Sequence, residues 1–538
     1  MKTETIVYAM NVLLAITMIF LFRESVLNVL KKYVDKKVII YMLMLFLLAF
    51  LVRNVLPPKT SRLFFDEDIY MDMAKQIVQH AESCLCDYGN KTACFECELM
   101  KWPVGHPFLL SIAFILFGIS DKVAFTFMSF VSSLSVVFIF LSSLLIFKDE
   151  KIALFSSIIL ALLPVHILWS VTAAADVTFS FYTSILLFLI VLSSRSNDVR
   201  IHVLSLLILP LLLQAKTESA ILFPIYFVSV FLLNRNFFRV VDKKEYVVAF
   251  LITLLFASVY FIHTIYASRT DTWGSSGKKF GLEYFKNNLN DNIKYWFEIY
   301  SIEDEWAYNG KQLYHPVLFT ILAILGAAYG VLTYPKETFS LLITFLTLFF
   351  LYVSFYAGSV YYGVDVRYVL PQYIPFSMLS GLGLFTLFNS LSKYAKKEEV
   401  ILMLIVLVLI YFSSYIPKIH VTADSIEEAS DARAYRNFAI MFASTQPDDC
   451  YFVSHVSSIY SWMGKGHMQV WYVYRPEFDS IIKEKDCVIF DEGYWCAIDV
   501  PESQSCVEFG EKYELELLER FNDTKHNKVY SFYRIELK

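Results

Sequence analysis

Pro107-Phe108-Leu109-Leu110-Ser111-Ile112-Ala113-Phe114-Ile115-Leu116-Phe117-Gly118 is the stretch that decides how this chain is threaded. The run is largely apolar, yet it is only about two-thirds of the roughly 20 residues a helix needs to cross hydrocarbon. Long apolar runs flank it, so counting it as a span would invert the sidedness of every later loop. Read as an interfacial or re-entrant helix on the outer face, it leaves the 57–105 loop and the 418–538 tail outside.

Working outward from that segment, about twelve runs are long enough to span roughly 30 Å of hydrocarbon. They cover 6–22, 38–56, 123–147, 152–170, 177–194, 201–213, 219–233, 246–267, 316–333, 338–357, 369–388 and 400–416. The first run reads as a helix rather than a cleaved signal, because Lys2 is balanced by Glu4 and no small-residue cleavage site follows. Composition agrees: 57% of the 538 residues are hydrophobic and 18% charged, where a soluble domain carries roughly 25% charged. The net charge of −5 leaves no basic excess for a phosphate backbone, which excludes nucleic acid as a partner. The 35 Tyr and 49 Phe suit bilayer interfaces and surfaces that stack on amphipathic ligands.

Cations fix the orientation. Arg23, Lys31, Lys32, Lys36 and Lys37 fill one loop, and Lys148, Lys151, Arg195, Arg200, Arg235, Arg239, Lys243, Lys244, Lys336, Lys393, Lys396 and Lys397 fill alternate later loops. These are the cytoplasmic loops. All eight cysteines fall on the other side, Cys84, Cys86, Cys94 and Cys97 in the first outer loop, and Cys450, Cys487, Cys496 and Cys506 in the tail. Two quartets in exported segments read as disulfides, with three pairings open to each set. The rival is zinc, because Cys84-x-Cys86 and Cys94-x-x-Cys97 are closely spaced. The two N-x-[ST] sequons, at Asn90 and Asn522, also lie outside.

The chain therefore divides into three parts. Residues 1–37 form an extra N-terminal helix and cytoplasmic loop. Residues 38–417 form a membrane-embedded body with large outer loops at 57–105 and 268–315. After residue 417 charges rise, and β-rich runs such as CYFVSH and CVIFDEG alternate with helical stretches such as 427–444. Residues 418–538 are expected to form a small extracytoplasmic α/β domain.

Three consecutive carboxylates, Asp66, Glu67 and Asp68, stand just after a span in the first outer loop. Such crowding raises at least one pKa unless a cation or metal offsets it, so Asp66 with Asp68 allows a divalent metal. On a helix Asp66 shares a face with Tyr70, one turn on. A carboxylate at the bilayer rim can serve as general base for a polar acceptor meeting a lipid-borne donor. The plainer role is an acidic first turn complementing a helix dipole. Further ionisable groups interrupt apolar runs at outer helix ends: Asp176 in TAAADVT, Lys216 and Glu218 in QAKTES, and Arg367 in GVDVRYVLP. Lys216 and Arg367 are cations suited to a phosphate, and His106 in WPVGHPF offers a hydrogen bond.

In that order, the motifs resemble the polytopic GT-C glycosyltransferases that use polyprenyl-phosphate sugars, especially the protein O-mannosyltransferase and lipid A aminoarabinose transferase branch. The resemblance spans roughly residues 38–390. FDEDIY is similar to the family's Asp-Glu-x-x-Tyr, giving Asp66, Glu67 and Tyr70. GHPFLL is similar to its His-Pro-Pro-Leu element, giving His106 and Pro107, with Phe108 in place of the second proline. LLPVHILWSVTAAADVTFSF resembles the following helix pair with Asp176 at the second acidic position, LLQAKTESAILFP resembles the Lys-bearing hairpin, and DVRYVLPQYIP resembles the Arg-Tyr-x-Leu-Pro element, giving Arg367 and Tyr368. The extra first helix departs from the family pattern, and the tail carries no Trp-Trp-Asp element of the oligosaccharyltransferase kind.

The resemblance implies transfer of one sugar from a polyprenyl (dolichyl-type) phosphate to a hydroxyl of a protein, lipid or glycan acceptor, with inversion, on the outer or lumenal face of a plasma or endoplasmic reticulum membrane. Asp66 as the base and Glu67, orienting the acceptor or Asp66, would be the catalytic pair, Lys216 and Arg367 would hold the departing phosphate, and Tyr70, His106, Asp176, Glu218 and Tyr368 would position substrates. The family contains metal-using and metal-independent members, so no cofactor is fixed. The alternative is a secondary transporter or lipid-handling membrane protein. A transporter predicts related halves and polar residues near midplane, whereas here the polar residues gather toward one face and no internal repeat is found.

Overall fold

The computed structural model describes residues 3–98, 103–196, 198–234, 243–270, 279–298, 315–360, 363–428, 430–475, 478–497 and 503–536. Arg235 and Arg239, much of the expected 268–315 outer loop and Pro57-to-Gly105 loop residues 99–102 lie outside them.

Among the described residues six helices are long and apolar enough to cross a membrane: Glu4–Leu30, Lys36–Val55, Asp121–Phe147, Ala175–Ser194, Pro335–Val353 and Tyr373–Leu391. Shorter apolar helices cover Gly105–Phe117, Val199–Ala215, Thr217–Leu233, Tyr246–Ile262 and Val317–Thr333. The first helix runs past its expected end through a π-turn at Phe22–Val26, so Arg23 sits on the helix rather than in a loop. Leu43, Met44, Leu51 and Val55 on the Lys36–Val55 helix are all more than half exposed, which is tolerable only where the surrounding solvent is lipid. The Gly105–Phe117 helix has 13 residues, a rise of about 20 Å, and is too short to cross.

The expected single span 152–170 is two helices, Glu150–Leu162 and Pro164–Trp169. Pro164 has no N–H to give to the Leu160 carbonyl, and it holds Leu163 extended at φ −62°, ψ 118°. Arg53, fully buried, satisfies the freed groups: it donates to Leu160 O at 3.3 Å and to Ala161 O at 3.2 Å, and meets His166 Nδ1 at 2.9 Å. A buried guanidinium here caps a broken helix.

Loops expected to be cytoplasmic converge at one end. Lys37 pairs with Glu150 at 2.5 Å, and Arg195 donates to Ile146 O at 3.2 Å beside Glu337.

At the other end lies one seven-stranded sheet of β1 Leu85–Gly89, β2 Cys94–Glu98, β3 Tyr451–Ser454, β4 Gly466–Gln469, β5 Val488–Glu492, β6 Glu514–Asp523 and β7 Lys528–Glu536, ordered β2-β1-β4-β3-β5-β7-β6. Only the β3–β4 and β3–β5 pairs are parallel. Side chains alternate across it: Phe452 and Ile489 pack with Phe438, Phe442 and Phe532 on one face, while Val453 and Phe490 pack with Phe478 and Phe509 on the other. The hairpin of the first outer loop joins the strands of the tail through Tyr88↔Met468 and Gly89↔His467. Loop and tail thus build a single sheet. The disulfides pair within quartets, Cys84–Cys97 and Cys86–Cys94 across the β1–β2 hairpin, Cys450–Cys487 and Cys496–Cys506 in the tail. Every sulfur is engaged, which removes the ligands of the zinc reading.

Candidate functional site

The acidic motif opens the Phe64–His80 helix, and its three carboxylates have three different fates. Glu67 is fully buried. Its Oε1 accepts from Arg62 N at 2.6 Å and Leu63 N at 2.8 Å, and its Oε2 accepts from Ala173 N at 2.9 Å. It therefore pins a helix start at which Phe64 adopts φ 31°, a left-handed value disfavoured for a phenylalanine. Burial raises the Glu67 carboxyl, against the pull of those three backbone N–H groups. Asp68 is also fully buried, and both its oxygens meet the Arg436 guanidinium, Nε to Oδ2 at 2.6 Å. The metal reading needed Asp66 and Asp68 together. Both Asp68 oxygens are engaged by Arg436, whose guanidinium offsets the carboxylate charge. Asp66 alone of the three is partly exposed.

Ala173 is held from both sides. Glu67 takes its N–H, and His106 Nε2 lies 2.7 Å from its carbonyl oxygen, while His106 Nδ1 lies 2.7 Å from Thr178 Oγ1. Only the tautomer protonated at Nε2 satisfies both contacts. Tyr70, one turn beyond Asp66, packs edge-on against the His106 ring at 4.9 Å. Glu67, His106 and Tyr70 thus fix the turn that leads into the Ala175–Ser194 helix, whose first turn carries Asp176.

Asp176 gathers the cations. Lys216, extended between the Val199–Ala215 helix and the 3₁₀ turn Thr217–Ile221, donates its Nζ to Oδ1. Arg367, in the 3₁₀ turn Gly363–Val369, brings Nε to 3.3 Å from Oδ2. Two residues 151 positions apart in sequence thus share one carboxylate. Arg367 also donates to Tyr368 Oη at 2.9 Å and to Asp365 Oδ1 at 3.2 Å. The Tyr368 ring lies 4.3 Å from Lys216 Nζ and 4.5 Å from the Arg367 guanidinium carbon, distances at which the ring quadrupole favours a cation. Side-chain exposure is 13% for Lys216, 12% for Arg367 and 2% for Asp176, so the two cations are largely buried with the carboxylate they share.

Burial works against the Arg367 charge, yet Tyr368, Asp176, Asp365 and Asp66 hold it above the ordinary guanidinium value. Burial also raises the Tyr70 hydroxyl, and the charges of Asp66, Asp176 and Glu218 raise it further. Asp66, Asp176, Glu218 and Arg367 therefore all act electrostatically on the Tyr70 hydroxyl. Glu218 itself accepts from Thr217 Oγ1 at 3.1 Å.

Three contributors escaped the sequence reading. Asp365 stands two residues before Arg367 inside the same motif, and that spacing was its available signal. Tyr352 stacks on Tyr368 at 5.0 Å and 22°, but it lies in an apolar run that gives no sign of it. Arg436 lies 368 residues from Asp68, beyond any local pattern.

Residues 101–263 match the family described as dolichyl-phosphate-mannose-protein mannosyltransferase. No curated protein matches the sequence. Among solved structures, the fold is similar to ArnT from Cupriavidus metallidurans bound to undecaprenyl phosphate, at 12% identity over 92% of this chain and 97% of that one, with a TM-score of 0.54. It is also similar to the Archaeoglobus fulgidus oligosaccharyltransferase tethered to an acceptor peptide, at 12% identity over 93% of this chain and 74% of that one, with a TM-score of 0.52. The chain has the fold of these GT-C membrane enzymes, as the resemblance implied.

Proposed function

We propose that the chain is a membrane glycosyltransferase that moves one sugar from a polyprenyl (dolichyl-type) phosphate to an acceptor hydroxyl, with inversion, at the outer or lumenal face of the membrane. The observation that carries the reading is the convergence of Lys216 and Arg367 on Asp176, within the electrostatic reach of Asp66. The matched family and the neighbour bound to undecaprenyl phosphate support the donor class.

In this mechanism Asp66 accepts the proton of the acceptor hydroxyl as its oxygen attacks the anomeric carbon. The new glycosidic bond forms while the bond from that carbon to the phosphate oxygen breaks, and the electron pair leaves with the polyprenyl phosphate. Lys216 and Arg367 meet the charge that develops there, and Asp176 keeps the two cations from repelling each other apart. Glu67 and His106 act one step removed, by holding the Ala173 peptide and so the turn that presents Asp176. The 418–538 region, joined to the first outer loop by its sheet, shapes acceptor access. No step passes through a metal.

The test is mass analysis of the purified protein for a co-bound polyprenyl-phosphate sugar, followed by transfer of that sugar to protein, lipid and glycan acceptors. A bound donor with turnover supports the reading. Solute flux in vesicles without sugar transfer would replace it with the transporter.

A further inference from the structure

The tip of the β1–β2 hairpin takes no part in the proposed transfer. Asn90, Lys91 and Thr92 there make one of the two N-x-[ST] sequons of the chain. Asn90 N donates to Ala93 O at 2.8 Å, which leaves Lys91 and Thr92 as an exposed turn. Behind it the hairpin is closed by the disulfides Cys86–Cys94 and Cys84–Cys97.

The Asn90 side chain is held through one atom. Its Oδ1 accepts from Thr92 N at 2.9 Å, from Ala93 N at 2.9 Å and from Thr92 Oγ1 at 3.1 Å. Two of those donors are backbone N–H groups, so the atom that faces them is the carbonyl oxygen and the amide nitrogen lies on the other side. Asn90 is partly exposed, and its Nδ2 donates to nothing among the described residues. A substituent on Nδ2 therefore costs the folded hairpin none of these bonds.

The compartment is set by the sheet. Tyr88 and Gly89 pair with Met468 and His467, so the tip belongs to the same body as the tail, and all four disulfides lie in that body. Disulfides form and persist in an oxidising compartment, and surface sequons of exported segments are the acceptors of N-linked glycans. The second sequon is placed differently. Asn522 stands within β6 opposite Val529, and its neighbour Asp523 is buried, with Oδ2 at 2.6 Å from His526 Nδ1.

We propose that Asn90 is a modification site carrying an N-linked glycan. The donor is an oligosaccharide on a lipid phosphate or pyrophosphate, brought by a separate oligosaccharyltransferase. A bond forms between Nδ2 and the anomeric carbon, the bond from that carbon to the phosphate oxygen breaks, and its electron pair leaves with the lipid carrier. One Nδ2 proton passes to a base of the transferring enzyme. This chain is the substrate in that step, so the proposal does not rest on Asp66 or on the Asp176 cluster.

The experiment is tandem mass spectrometry of peptides from the full-length protein, purified from the membranes of the organism that makes it and reduced before digestion. The expected result is a glycan on the peptide that contains Asn90, with the attachment mapped to that residue. The glycan should be lost in Asn90→Gln and Thr92→Ala and kept in Thr92→Ser, which preserves the sequon. An Asn90 peptide found only unmodified, modification confined to Asn522, or a glycan retained in Thr92→Ala would overturn the proposal. Peptide masses are read without turnover, so failure of the proposed transfer chemistry leaves this result unaffected.

Discussion

Arg436 closes a two-pronged ion pair on Asp68, a fully buried carboxylate two residues after Asp66 and 368 residues before the arginine. A second tie runs alongside it: Asp72 accepts from Ser461 Oγ, and Lys75 donates to the Ser461 carbonyl. The tail thus grips the face of the Phe64–His80 helix turned away from the Asp176 cluster. Burial opposes the Arg436 charge, but Asp68 holds its pKa above the ordinary guanidinium value.

Breaking that grip leaves an uncompensated buried charge. Arg436→Ala is expected to destabilise the protein by about 3–5 kcal/mol, and Arg436→Lys by less, since a point charge replaces the fork. Adding Asp68→Asn to Arg436→Ala should recover part of the loss. Thermal unfolding in detergent measures all three, and a double variant no more stable than Arg436→Ala would show that the pair does not carry the docking.

Much of this was legible in the sequence, for reasons that differ by residue. Lys216 and Arg367 stood out as ionisable groups interrupting apolar runs, and they meet on Asp176; the short 107–118 run, read as not crossing, put the first outer loop and the tail together, and one sheet joins them. Glu67 carried the same signal as Asp66 but serves the backbone, and only its three N–H partners reveal this. The cysteine quartets were readable as quartets, whereas their pairing needed the β1–β2 register. The single sheet shared by loop and tail was not legible, because pairing between Gly89 and His467 leaves no local pattern. Nor was the break at Pro164, whose cost Arg53 offsets from another helix.

The phosphate-holding role of the two cations predicts a specific kinetic pattern. Lys216→Ala and Arg367→Ala should each weaken donor use by about 1–3 kcal/mol as a charge-assisted contact is lost. Arg367→Lys should restore only part of this, because the planar fork that reaches Asp176, Asp365 and Tyr368 becomes a single ammonium. Donor binding and turnover at saturating acceptor read the effect. Unchanged values in both alanine variants would remove these residues from the site.

Asp491 gives the sheet region a pH dependence of its own. Its Oδ2 accepts from Ser454 Oγ at 2.8 Å, from Tyr460 Oη at 2.6 Å and from Tyr435 Oη, and burial raises its pKa to about 6 in spite of them. An unfolded aspartate titrates near 3.9. Below pH 4 both states are protonated and nothing is lost. Between about pH 4 and 6 the unfolded chain releases its proton first, so stability falls as pH rises, by on the order of 2–3 kcal/mol, and stays lower above. Asp491→Asn should flatten the slope in that window, as read from melting temperature against pH. An unchanged slope would mean that Asp491 titrates as an ordinary carboxylate.

The central claim is that Asp66 takes the acceptor proton, and Asp66→Asn tests it most directly. Asparagine keeps the size and hydrogen bonding of the side chain but cannot accept that proton. With donor in excess, the variant should fold and bind donor while sugar transfer falls roughly 10²-fold or more. A residue that merely complements the helix dipole would cost about 0.3–1 kcal/mol of stability and leave the rate nearly intact. Near-normal transfer by Asp66→Asn would contradict the account.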